Sequence, residues 1–255
     1  MTDHPIIFSA AMIRALFEGR KQQTRRLAWR FKTLPAVKED GTLRNMSDRW
    51  ECLSSNGDGI ETWRAETPWQ NVKPGDRLWC RETWGRFYDL DDNDKPASEV
   101  MTYYRADGEP FVRWLDPDTG ETRDGVKWRS PIHCPRAYSR LTLVVTATKI
   151  EPLQAISEAD AIAEGVACIK CKGRGYYLER FKDNFFTPCS ECIEEARRQG
   201  VTVLPGQQAT PNNRAIFRDL WKTLHGADAW DANPEVVAIS GKVFQTNIDS
   251  MKEAA

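Results

Sequence analysis

Two cysteine pairs carry the most specific chemistry in the chain. They are Cys168-Ile-Lys-Cys171 and Cys189-Ser-Glu-Cys192, with seventeen residues between them. Each Cys-x-x-Cys places two thiolates on one tight turn, and two such turns supply four soft donors in the tetrahedron that zinc prefers. Four thiolates fill the coordination sphere and leave no position for a substrate. The spacing therefore predicts one structural zinc per chain, held by Cys168, Cys171, Cys189 and Cys192. The surrounding segment 167–210 is polar, so its folding is expected to depend on the metal. The remaining cysteines are Cys52, Cys80 and Cys134, which makes the total of seven odd. The start of the chain, Met1 to Pro5, has no apolar signal core. Both features lead us to expect reduced thiols and a cytoplasmic protein.

The second concentration of chemistry is cationic. Residues 1–38 hold eight Lys and Arg (Arg14, Arg20, Lys21, Arg25, Arg26, Arg30, Lys32 and Lys38) against Asp3 and Glu18. The whole chain has 36 Lys+Arg and 37 Asp+Glu, a net charge of −1. That balance excludes a globally basic nucleic-acid binder but not a local basic patch. Arg20, Lys21, Arg25, Arg26 and Arg30, with Trp29 among them, are the residue types that meet phosphates and stack a base. We expect Arg20, Arg25, Arg26, Trp29 and Arg30 to contact a nucleic acid or nucleotide ligand, with Arg136 and Arg140 extending the strip. The plainer alternative is a solvated charged face with Trp29 in the core. His4, His133 and His225 lie too far apart in sequence to suggest a histidine metal site.

These residues need elements to position them. Pro5 to Phe8 reads as a strand. Ser9 is an N-cap for a helix over 10–18, which Gly19 ends. Residues 39–72 are rich in Gly, Asn, Asp and Ser and read as an irregular hairpin or long loop. Pro74-Gly75-Asp76 turns into a strand over 77–84, which would put Trp79 and Trp84 on opposite faces of one strand. Residues 101–105 and 111–115 are strand-like, and Leu141 to Thr148 is the clearest strand in the chain. Ser157-Glu-Ala-Asp160 is a capping box for a helix that Gly165 stops. An amphipathic helix over 213–224 and a closing strand over 235–244 follow. No apolar run reaches the roughly 18 residues of a membrane span. Short strands with few helices, and no regular strand–helix alternation, give an α+β fold around a small mixed barrel flanked by helices.

In this order, Pro5-Ile-Ile-Phe8, Gly19-Arg-Lys-Gln-Gln-Thr-Arg-Arg26, Lys73-Pro-Gly-Asp-Arg-Leu-Trp-Cys-Arg-Glu-Thr-Trp84, Ile132-His-Cys-Pro-Arg136, the strand to Ala147, Ile156 to Val166 and the final strand resemble the ASCH domain family. That family is a small barrel related to the PUA fold, and the likeness is greatest to its phage and prophage members. The resemblance implies a discontinuous PUA-like barrel over 1–166 and 211–246, interrupted by the zinc knuckle at 167–210 and followed by a tail at 247–255. It also implies binding of RNA, DNA or a modified nucleobase or nucleoside in the cytoplasm of a bacterial host cell. Some compact members hydrolyse N4-acetylcytidine, and their catalytic Lys, Thr and Glu fall on Lys21, Thr24 and Glu164. In that chemistry the threonine hydroxyl needs a base, a lysine beside other cations can act as one, and the glutamate moves a proton to the leaving amine. Three readings therefore stand open: a nucleic-acid or nucleobase binder, an N4-acylcytidine amidohydrolase, and a factor whose zinc module docks a phage or host protein.

Overall fold

Residues 1–35, 39, 47, 49–55, 60–90, 95–110, 112–115, 121–166, 176–178, 186–188 and 213–251 are described by the computed structural model. Their elements in chain order are β1 (Asp3–Ile7), α1 (Ala10–Phe17), β2 (Gln23–Leu27), β3 (Trp29–Pro35), β4 (Glu51–Ser55), β5 (Ile60–Glu66), β6 (Arg77–Arg81), β7 (Trp84–Leu90), β8 (Pro96–Tyr104), β9 (Arg113–Leu115), β10 (Thr122–Asp124), β11 (Thr142–Pro152), α2 (Glu158–Ala163), β12 (Tyr176–Leu178), β13 (Phe186–Pro188), α3 (Asn213–His225) and β14 (Glu235–Phe244). They group into two units. The first is Met1–Gln22, Gly75–Val145 and Gly241–Ala255, and the second is Gln23–Pro74 and Thr146–Ser240.

In the first unit β6 is flanked by β1, which runs parallel to it from Asp3↔Arg77 to Ile7↔Arg81, and by the antiparallel start of β11. The end of β14 comes next. Gly241 allows the close approach, because a Cβ there would lie 2.9 Å from the Val144 carbonyl oxygen. Ile6, Leu78, Cys80, Leu141 and Leu143 are buried on this sheet. Ser9 caps α1 by accepting from the Met12 amide, and Gly19 ends it at φ 68°, where other residues would be strained. A second sheet, in the order β10-β9-β7-β8, carries a stack of Phe87 on Tyr103 and Trp114. The strand expected over 77–84 is in fact two. Glu82 is 1% exposed and takes two hydrogen bonds from Arg140 at 2.8 and 2.9 Å, so the ladder breaks at Glu82-Thr83. Trp79 thus belongs to β6 and Trp84 to β7.

In the second unit β2 pairs antiparallel with β14, from Gln23↔Ser240 to Leu27↔Val236. β5 lies between β3 and β4 in a three-stranded antiparallel sheet, with a bulge between Cys52 and Ser54. Residues 39–72, read as an irregular hairpin or long loop, supply two of these strands, β4 and β5, which pair antiparallel as in the first of those readings. The apolar centre is Leu153, Ile156, Ala161, Phe217, Trp221 and Val236. α2 begins with the expected capping box between Ser157 and Asp160. Its Glu158 carboxylate accepts the Asn213 and Arg214 amides at 2.8 and 3.3 Å, which satisfies the open N-terminus of α3.

The class is mixed α+β, mostly strand with few helices, as the sequence implied. Among the described residues the sheets are open and do not close into a barrel: β1 bonds only to β6 and β2 only to β14. No helix among them is long and apolar enough to cross a membrane.

Candidate nucleic-acid interface

Strand β2 starts the site. Its polar Thr24 and Arg25 are buried, at 4% and 5% exposure. A buried guanidinium needs carboxylates, and Arg25 has them. Its Nη2 donates to Glu151 Oε1 at 2.8 Å and its Nη1 to Glu164 Oε1 at 3.1 Å, with Asp160 3.6 Å away. Gln23 accepts a further bond at 2.7 Å, and the Phe217 ring lies 5.8 Å from the guanidinium. Burial works to raise the Glu151 carboxyl, but hydrogen bonds from Lys149 and Arg25 outweigh it and hold the group below its usual range. Arg25 therefore neutralises internal carboxylates and offers no face to a phosphate. Glu164, expected to move a proton, is one of its partners. In the first unit Lys21 is 2% exposed, with its ammonium 5.7 Å from the Phe8 ring centroid.

Three more cations of the expected strip also serve the scaffold. Arg20 pairs with Glu18. Arg136 bridges Asp3 and Asp249 at 2.6 and 2.7 Å, and Arg140 holds Glu82 and Asp107. Arg26 lies over the Trp69 ring at 5.6 Å.

Trp29 and Arg30 remain, and the structure brings them to a groove that sequence reasoning missed. It encloses about 700 Å³ beside the β3-β5-β4 sheet and is lined by Trp29, Arg30, Arg49, Trp50, Glu51, Arg64 and Glu66, with 65, 67, 68 and 71 completing the wall. That volume is within the range for sites that hold drug-sized ligands. Alternation along each strand puts neighbouring residues on opposite faces. Arg30 and Lys32 consequently share a face and approach the Trp50 ring at 5.2 and 4.9 Å. Arg64 lies over Trp29 at 4.4 Å and is anchored by Glu51 at 2.8 Å. The Trp29 indole N–H donates to Glu235 at 2.8 Å, which fixes that ring. Among the described residues, Arg30, Arg49 and Glu66 make no ion pair. The signal was present in the sequence as three adjacent Trp and Arg pairs, Trp29-Arg30, Arg49-Trp50 and Trp63-Arg64. In β3 and β5 the pair puts an indole on one face and a cation on the other, and Arg49-Trp50 stands just before β4.

Cys168, Cys171, Cys189 and Cys192 lie outside the described residues. Among those described, no cluster of His, Cys, Asp and Glu could hold a metal ion. No protein family, curated protein or solved structure matches the chain when it is compared with them.

Proposed function

We propose that this chain binds single-stranded nucleic acid or a nucleobase-bearing ligand, as a phage-type protein of the ASCH, PUA-like kind acting in the cytoplasm of a bacterial host. The observation that supports this best is the groove with two indoles, Trp29 and Trp50, and two cations that pair with no carboxylate among the described residues, Arg30 and Arg49. Stacking surface beside unspent positive charge is what an unpaired strand requires. Zinc on the two cysteine pairs is proposed as a structural part of the same protein, on spacing alone. A second reading, amide hydrolysis of N4-acylcytidine-like nucleosides, rests on the resemblance and on the burial of Lys21, Thr24 and Glu164, each within its own unit.

Fluorescence anisotropy with single-stranded RNA and DNA oligonucleotides tests the first reading. Trp50→Ala should weaken binding by about 1–3 kcal/mol, the usual value of one stacked base. Arg30→Ala and Arg49→Ala should each lower the slope of log affinity against log salt by about 0.7. Unchanged affinity and slope in all three variants would refute the groove as the binding surface. Chromatography of N4-acetylcytidine incubated with the purified protein decides the second reading, by whether cytidine is released.

A further inference from the structure

A carboxylate is out of place in a groove that attracts phosphate. Glu51 is accounted for, because its Oε2 accepts from Arg64 Nε and holds that guanidinium over Trp29. Glu66 has no such role. It is exposed, lines the groove opposite Trp29 in register, and among the described residues makes no ion pair and no hydrogen bond. Left alone, it repels the phosphates that Arg30 and Arg49 attract. The repulsion becomes attraction where the ligand presents N–H donors to it.

The nucleobases differ in this respect. On the Watson–Crick edge, uracil and thymine offer one ring N–H, and adenine and cytosine offer one amino group. Guanine offers N1–H and the N2 amine side by side, a pair that matches the two oxygens of a carboxylate. Resting on the nucleic-acid reading of the groove, we propose that it selects an unpaired guanine: Glu66 reads the N1–H and N2 amine, the base lies against Trp29 on the same face of the sheet, and the flanking phosphates meet Arg30 and Arg49, which line the same groove. A duplex is excluded, because pairing occupies the edge that Glu66 reads.

The test uses the full-length protein and seven-residue uridine strands carrying one central guanosine, inosine, adenosine or uridine, with affinity read by anisotropy. The guanosine strand should bind about tenfold tighter than the adenosine strand, the low end of what one bidentate base contact discriminates. Inosine keeps N1–H and loses the N2 amine, so it should fall between them. Glu66→Ala should erase the preference, bringing the guanosine, inosine and adenosine strands to one affinity. General damage to the groove would instead weaken every strand alike. A guanosine preference that survives Glu66→Ala, or wild-type protein that binds all four strands equally, overturns the inference while the nucleic-acid reading stands. If no strand binds, both fall.

Discussion

Arg25 and Arg26 are adjacent in a strand, so they cannot share one surface, and the sequence does not say which one faces inward. The structure sends Arg25 inward, where its side chain is 1% exposed between Glu151 and Glu164. The residue types of the site were legible at this scale, but the direction of each side chain was not, because direction depends on which strand lies alongside. Removing a buried cation strands its partners. Arg25→Met should therefore cost about 3–5 kcal/mol in urea unfolding, the range for breaking a buried pair. Arg25→Lys restores the charge without the planar fork that serves three acceptors, so it should recover only part of the loss. A cost under about 1 kcal/mol for Arg25→Met would mean that the cluster is solvated. Glu66 is the opposite case: an exposed carboxylate in a loop-like sequence carries no pattern, and only the register that sets it opposite Trp29 gives it meaning.

Among the elements, those with strong local grammar were read correctly. α1 has Ser9 and Gly19 at its ends, α2 has its capping box, and β11 and β14 have alternating β-branched residues. β4 and β5 were legible only as an irregular hairpin or long loop, without strand bounds. Ile60-Glu-Thr-Trp-Arg-Ala-Glu66 mixes apolar and charged residues on both faces, because most of the strand is only half-buried. The split between β6 and β7 depends on Arg140, 58 residues from Glu82, and so had no local signal. The cysteine pairs between α2 and α3 make a prediction of their own. Protein prepared without chelator should carry one zinc per chain by elemental analysis. Cys171→Ser should lose that zinc together with the resistance of 167–210 to protease. Metal-free wild-type protein would refute the four-thiolate assignment.

For the whole molecule, acid is the condition that should separate the folded from the unfolded state. Burial works to raise the carboxyls of Asp3, Glu151 and Asp160. Arg77 and Arg136 at the first, Lys149 and Arg25 at the second, and Ser157 with Arg25 at the third outweigh it, and all three groups end below their usual values. A lowered carboxyl stabilises the fold above its unfolded pKa, about 4, and that stability is lost as pH falls further. Glu82 runs the other way: burial raises it despite hydrogen bonds from Arg140, so its share is greatest in acid. With three groups against one, melting temperature should be level above about pH 5 and fall below about pH 4. A flat profile down to pH 3 would contradict the ion-pair assignment. The partition of the chain has a further consequence, for synthesis. The backbone passes between the units after Gln22, Pro74, Val145 and Ser240, so neither unit is a continuous stretch. The first unit waits for residues 241–255, and the second for the part of β14 up to Ser240, which pairs with Gln23 of β2. On the ribosome, then, the usual order in which an N-terminal domain folds before its successor is made does not apply. Both units stay incomplete until β14 has been made, and the edges of β2 and β11 that it covers need shielding until then.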